Sequence, residues 1–216
     1  MSEPVRIGLL GRGTVGGALH DLIGERAEAI EGATGRRPEI AGVLRRSEGD
    51  VGAILDAADI VVELIGGTDP ARDYVLRALR AGKHVVTANK QLIAQHGDEL
   101  FDAAREAGVQ IRFEAAVAGV VPVIRVIQES LAATEIEKVF GIVNGTTNFI
   151  LTEMAKTGAA FDDVLARAQE LGYAEADPTE DVNGADAAAK MAILARLAFG
   201  SAVHLDDVTY EGIEQV

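Results

Sequence analysis

Residues 5–19 read VRIGLLGRGTVGGAL. A short apolar run, VRIGLLG (5–11), leads into Gly11, Gly13 and Gly16 in G-x-G-x-x-G spacing, and a helical pattern follows. In a strand-to-helix turn these glycines have separate tasks. Gly11 makes the tight turn, Gly13 lets backbone approach a pyrophosphate, and Gly16 lets helix and strand pack closely. The helix N-terminus adds unpaired N–H groups and the positive end of a dipole. Thr14 and Val15, between the last two glycines, and Gly66, after the third strand, join the expected cofactor contacts. Without a ligand the same stretch is only a glycine-rich turn. Its position at the first strand of a β-α-β series favours a nucleotide.

The rest of the first half supports that series. Further apolar, β-branched runs stand at 39–44, 59–65, 84–88 and 109–115, and helical spacing fills 71–82 and 98–108. Helices stop at Gly82 and Gly108, and a strand follows at once. Such alternation implies a Rossmann-type, doubly wound parallel sheet, an α/β fold. DIVVELI (59–65) is apolar almost throughout, as a strand buried on both faces should be. The second strand ends in VLRRS, so Arg45 and Arg46 stand where an NAD enzyme often carries an acid. Guanidinium pairs well with a 2′-phosphate, which favours NADP; the alternative is an exposed basic pair on a loop. Lys90, in VVTANK, falls at the carboxyl edge of the sheet, where ligands bind in such folds. A solvent-facing lysine at a helix start would look the same in sequence.

The character changes near 130–135, so residues 1–133 are expected to form the cofactor domain and 134–216 the start of a second, α+β domain. EIEKVFGIV (135–143) reads as a strand, NGTTN (144–148) as a turn or helix cap, and 149–158, 161–172 and 185–200 as helices. An acidic stretch with Glu175, Asp177, Glu180 and Asp181 lies between the last two and runs into the last helix at Asp186, closed by Lys190. Asp186 and Lys190, four apart, share a helix face, and Ile193, Leu194 and Leu197 continue it. A lysine on a buried stripe is costly unless paired, and Asp186 is the obvious partner, with Asp181 and Glu175 nearby. Buried, paired titratable groups tend to mark sites. The carboxylates suit an ammonium-bearing substrate, and the lysine suits proton transfer at an alcohol or carbonyl oxygen.

Composition narrows the partners. The 216 residues are 48% hydrophobic, 25% charged and 4% aromatic, so aliphatic side chains must build the core. A formal net charge of -14 disfavours nucleic acid and anionic membranes. The absence of cysteine excludes disulfides, thiolate catalysis and cysteine metal sites, and fits a cytoplasmic location. There is no signal-peptide pattern at the start and no run long enough to span a bilayer. His20, His84, His96 and His204 are scattered without metal-ligand spacing and read as structural or exposed.

GLLGRGTVG, GKHVVTANK, FEAAVAG, NGTTNFIL and ELGYAEADPTEDVNGADAAAKMAILA, in this order, closely resemble the homoserine dehydrogenase family over essentially the whole chain. NGTTNFIL and the 171–190 block are far more specific than the glycine motif. The resemblance implies reversible reduction of L-aspartate 4-semialdehyde to L-homoserine with NADPH or NADH, on the route to threonine, methionine and isoleucine. It implies Lys190 as the acid that protonates the carbonyl oxygen, and Asp186 as its orienting partner. Glu175 and Asp181 would hold the substrate's amino end, helped by Gly145, Thr146 and Tyr173. Lys90 would sit between nicotinamide and substrate, with a proton-transfer role also open to it. A monovalent cation, Na or K, would be held by backbone carbonyls at Glu114, Val117, Gly119 and Val121. A homodimer or higher assembly is implied for the full-length enzyme.

Two departures accompany the likeness. The family usually has a more glycine-rich run where this chain has VAGVVP (117–122). The family's core also continues past EGIEQV (211–216), often with a regulatory ACT domain beyond, so the chain is expected to be an N-terminal portion. Aspartate-semialdehyde dehydrogenase needs a cysteine and does not fit. A different amino-acid dehydrogenase, or a catalytically incomplete NADP-binding module, remain the alternatives.

Overall fold

The computed structural model describes residues 3–46 and 48–216. The chain forms two compact units, Met1–Pro122 and Val123–Val216.

The first unit alternates strand and helix: β1 (Val5–Leu10), α1 (Thr14–Thr34), β2 (Pro38–Leu44), α2 (Val51–Ala57), β3 (Ile60–Glu63), α3 (Ala71–Arg80), β4 (His84–Thr87), α4 (Lys90–Glu106) and β5 (Ile111–Arg112). The five strands are parallel in the order β2-β1-β3-β4-β5. The chain winds to one side from β1 to β2 and then crosses to β3 on the other, so the order reverses between β1 and β3. Right-handed crossovers then place helices on both faces, and a crevice opens outside the carboxyl ends at this switch point. The core holds Leu9, Leu10, Val61, Val85, Leu92, Ile93, Leu100 and Phe113. Helix α2 comes close to the sheet because Gly8 and Gly42 have no Cβ: one built at either would lie 2.8 Å from Ile54.

Start signals in the sequence act locally. The Asp50 carboxylate accepts from the N–H groups of Gly52 and Ala53 and caps α2. Asn89 caps α4 by accepting from Leu92 N–H at 3.0 Å. All the strands but β2 are shorter than their apolar runs. The run at 109–115 is paired only at Ile111–Arg112, because the chain turns at Glu114–Ala116. His84 is structural: its Nδ1 accepts from Gln110 N–H at 3.1 Å.

The second unit holds α5 (Val123–Arg125), a wider turn of helix at Val126–Ser130, α6 (Gly145–Thr157), α7 (Phe161–Glu170), α8 (Thr179–Val182) and α9 (Ala185–Phe199). Ile150, Val164, Ala168, Ala174 and Val182 form one apolar cluster, with Phe149, Phe161 and Ile213 against it. The strand expected at 135–143 does not form: the stretch pairs with no strand among the described residues, and Phe140 and Ile142 are exposed at 85% and 75%. An alternating run becomes a strand only where a neighbour takes up its backbone groups. The helix expected from 149 starts at Gly145, because the Asn144 side chain accepts from Thr147 N–H at 2.8 Å.

Candidate active site

At the sheet edge, the glycine loop is shaped by missing Cβ atoms. Gly11 has φ +103°, and a Cβ there would lie 2.6 Å from Leu64 O. One at Gly16 would lie 2.0 Å from Gly11 O. Gly11 and Gly16 therefore serve packing within the protein. Gly13 differs: a Cβ there would meet nothing within 4 Å, so its open side can accept a bulky anion against the backbone. Helix α1 starts at Thr14 with Gly13 as its cap residue, no side-chain capping bond and no acid in its first turn. Its first N–H groups keep their affinity for an anion. Val15 stands exposed in the same turn.

Gly11 N–H donates to Leu44 O at 3.0 Å, which sets the loop beside the end of β2. Arg45 and Arg46 follow there, both exposed. Arg45 bridges back to Glu48, with guanidinium and carboxylate 3.6 Å apart. Gly66, at φ +82°, lies in the exposed turn after β3. Lys90 is the first residue of α4, half-buried, directly after the Asn89 cap. Glu114, Val117, Gly119 and Val121 lie along two successive turns closed by Ala116 N–H to Phe113 O and Val121 N–H to Ala118 O. Val117 is buried and Val121 exposed. Among the described residues no group of three or more His, Cys, Asp or Glu could hold a metal ion.

The acidic cluster of the second unit is built from side chains. The Lys190 ammonium donates to Asp186 Oδ2 at 2.7 Å and to Val143 O at 2.9 Å. The pair is mostly buried, with side-chain exposures of 18% for Lys190 and 10% for Asp186. Asn144 Nδ2 donates to Asp181 Oδ1 at 2.6 Å and to Asp186 Oδ2 at 2.8 Å. Asn144 is the residue that the sequence reading missed. The signal was its place ahead of a helix, since a capping Asn has a fixed side chain whose amide can bind elsewhere. With one lysine and two aspartates the cluster carries a formal charge of minus one. An ammonium has three N–H donors, and protein acceptors take two of those on Lys190.

Around it, Thr146 Oγ1 donates to Tyr173 O at 2.7 Å, and the Tyr173 ring stacks on Phe149 at 4.7 Å. Gly145 opens α6 and is exposed. Gln169 Nε2 donates to Glu175 O at 3.1 Å, which ties the acidic loop to α7. The Glu175 side chain is exposed and joins none of the bonds at Lys190, Asp186, Asp181 or Asn144. Asp177 accepts from the hydroxyl and N–H of Thr179, and these bonds hold its carboxyl below the usual range. The turn between α8 and α9 has Gly184 at φ +89°, where a Cβ would lie 2.9 Å from Glu211 O. Ile213 N–H donates to Val182 O at 2.8 Å. The 211–213 segment thus braces the turn that spaces Asp181 from Asp186.

Two family profiles match the chain: one described as homoserine dehydrogenase, NAD binding domain, over residues 11–114, and one described as homoserine dehydrogenase over 122–216. A homoserine dehydrogenase from Pseudomonas aeruginosa is 51% identical, covering 99% of this chain and 52% of that protein. The crystal structure of one from Thiobacillus denitrificans superposes with a TM-score of 0.92 at 47% identity, over 99% of this chain and 53% of that one. A hyperthermophilic archaeal homoserine dehydrogenase in complex with NADPH gives 0.82 at 29% identity, over 93% and 71%. The chain spans about half the length of the curated relatives it matches.

Proposed function

The chain belongs to the homoserine dehydrogenase family, and from that premise we propose that it serves the reversible NAD(P)H-dependent reduction of L-aspartate 4-semialdehyde to L-homoserine, in threonine, methionine and isoleucine biosynthesis. In this reading residues 1–133 bind a nicotinamide dinucleotide and 134–216 belong to the substrate domain. The open side of Gly13 and the uncapped start of α1 fit a pyrophosphate, with Thr14 and Val15 beside it. Arg45 and Arg46 favour NADP over NAD through a 2′-phosphate. The bound cofactor supplies hydride to the aldehyde carbon.

The residues of this chain do the rest. Lys190 donates its remaining N–H to the carbonyl oxygen and passes that proton to it as negative charge develops. Asp186 and Val143 O hold the ammonium in place. Asp181, steadied by Asn144, and the exposed Glu175 receive the substrate's amino group, bordered by Gly145, Thr146 and Tyr173. Lys90 serves the same chemistry from the start of α4. Carbonyls of Glu114, Val117, Gly119 and Val121 take a monovalent cation. A homodimeric or larger cytoplasmic enzyme completes the reading; among the described residues no helix is long and apolar enough to cross a membrane.

The observation that carries this proposal is the mostly buried Lys190–Asp186 pair, in which acceptors among the described residues take two of the three ammonium N–H groups. The test is L-homoserine with NADP at alkaline pH, followed at the reduced-nicotinamide absorbance, then with NAD, and with Lys190→Ala. Reduction that requires both homoserine and Lys190 supports it. NADP binding without turnover would instead make this chain a cofactor-binding piece. Turnover that survives Lys190→Ala would remove Lys190 from the chemistry.

A further inference from the structure

Glu63 is the one acid in β3, and it is completely buried. Its register neighbours are Leu10 of β1 and Thr87 of β4. A carboxylate buried this deep is costly unless hydrogen bonds replace its water. Here no Lys, Arg or His pairs with it among the described residues, and three neutral donors do the work. Oε1 accepts from the N–H groups of Ile65 at 2.7 Å and Gly66 at 3.4 Å. Oε2 accepts from the Thr87 hydroxyl at 2.6 Å. The Thr87 oxygen in turn accepts from Asn89 N–H at 2.9 Å. Asn89 caps α4 and donates from Nδ2 to Gly67 O at 2.5 Å.

These bonds join the exits of β3 and β4 at two points, through Glu63–Thr87 and Asn89–Gly67. The exit of β1 belongs to the same assembly, since Gly11 can approach only because Leu64 O occupies the space of a Cβ. The exits of β1 and β3 flank the switch point at which a ligand is expected, and the exit of β4 stands beside that of β3. An aliphatic residue would have filled the strand equally well, but it could hold neither the turn at Ile65 and Gly66 nor the Thr87 hydroxyl.

We propose that Glu63 is a positioning residue for the dinucleotide site: it locks the turn at Ile65–Gly67 to Thr87 and Asn89, and so fixes the backbone at Gly66 and the start of α4 at Lys90. This rests on the cofactor reading of the first unit given above. The variants are E63Q, which keeps one carbonyl oxygen but sets an NH₂ against the Thr87 hydroxyl, T87V, which deletes the link, and T87S, which restores the hydroxyl. For each, NADPH affinity is measured by calorimetry, KM and kcat by homoserine oxidation, and the fold by circular dichroism and melting.

E63Q and T87V are expected to weaken NADPH binding by about tenfold, the scale of one lost hydrogen bond to a charged group. KM for the cofactor should rise with it, and T87S should return both to within about twofold of the starting protein, since it restores that bond. Folded E63Q and T87V with unchanged NADPH affinity would overturn the proposal, as would unfolding of either at 25 °C, since Glu63 would then be purely structural. Failure of the starting protein itself to bind NADPH would sink the cofactor reading instead.

Discussion

The glycine loop of the first unit and the acidic cluster of the second are built by opposite means. The loop works by subtraction. Missing side-chain atoms let Gly11 and Gly16 pack against backbone and leave Gly13 open on one side, and all three lie within six residues. The cluster works by convergence. Lys190 from α9, Asp181 from α8, and Val143 and Asn144 from ahead of α6 meet through four hydrogen bonds, three of them across separations of 37 to 47 residues. A local device leaves a compact motif in the sequence. A convergent one leaves scattered polar residues whose partners only folding can choose.

The largest break should come at the cluster. Lys190→Ala is expected to lower turnover by about 10²–10⁴-fold, the range for losing a general acid, with NADPH affinity nearly unchanged. A parallel loss of NADPH binding would show that the two devices are not separate in function. The loop comes next and divides within itself. Gly16→Ala places a Cβ 2.0 Å from Gly11 O, against backbone that cannot yield cheaply. About 1–3 kcal/mol of stability should go with it, together with NADPH binding. Gly13→Ala meets nothing and should keep the melting temperature while weakening NADPH binding. Equal melting losses in the two would contradict the division between packing glycine and ligand glycine.

Asn144→Ala sharpens the cluster's side. It removes the α6 cap and the shared donor between Asp181 and Asp186, and should cost about 1–3 kcal/mol in chemical denaturation. A fall in turnover beyond that seen for another α6 surface substitution would mark the amide as positioning the carboxylates. The smallest effect belongs to neither device. Asp59, just ahead of β3, binds Arg6 through three hydrogen bonds, and these hold its carboxyl down at about 2. A depressed folded-state value means that the pair stabilises above the ordinary carboxylate range and that this is lost as pH falls through about 2. Both groups are solvent-exposed, so the gain is slight and screened by salt. Asp59→Asn should flatten the acid end of the stability profile and leave cofactor binding alone; a change in binding would refute a purely structural role.

Much of this was legible in residue order. The parallel α/β sheet follows from apolar runs alternating with helical spacing. The Asp186–Lys190 pair follows from a four-residue step on an otherwise apolar stripe. The strand at 135–143 was misread because alternation describes a chain able to pair, and pairing needs a neighbour. Glu63 passed unnoticed inside DIVVELI because one acid hardly changes an apolar run, although an acid in a strand buried on both faces was itself the clue.

Sequence alone therefore determined what depends on neighbours a few residues apart: strand–helix alternation, helix caps, glycine spacing and the i, i+4 ion pair. Tertiary structure decided which distant groups share a hydrogen bond. Val143 O reaches Lys190, the Asn144 amide divides itself between two aspartates, and the Glu63 carboxylate receives Thr87 rather than a cation. The physical reason is that periodicity sets only the face on which a side chain emerges. The cost of burying an unpaired polar group then selects its partner, and that choice exists only once the elements have packed.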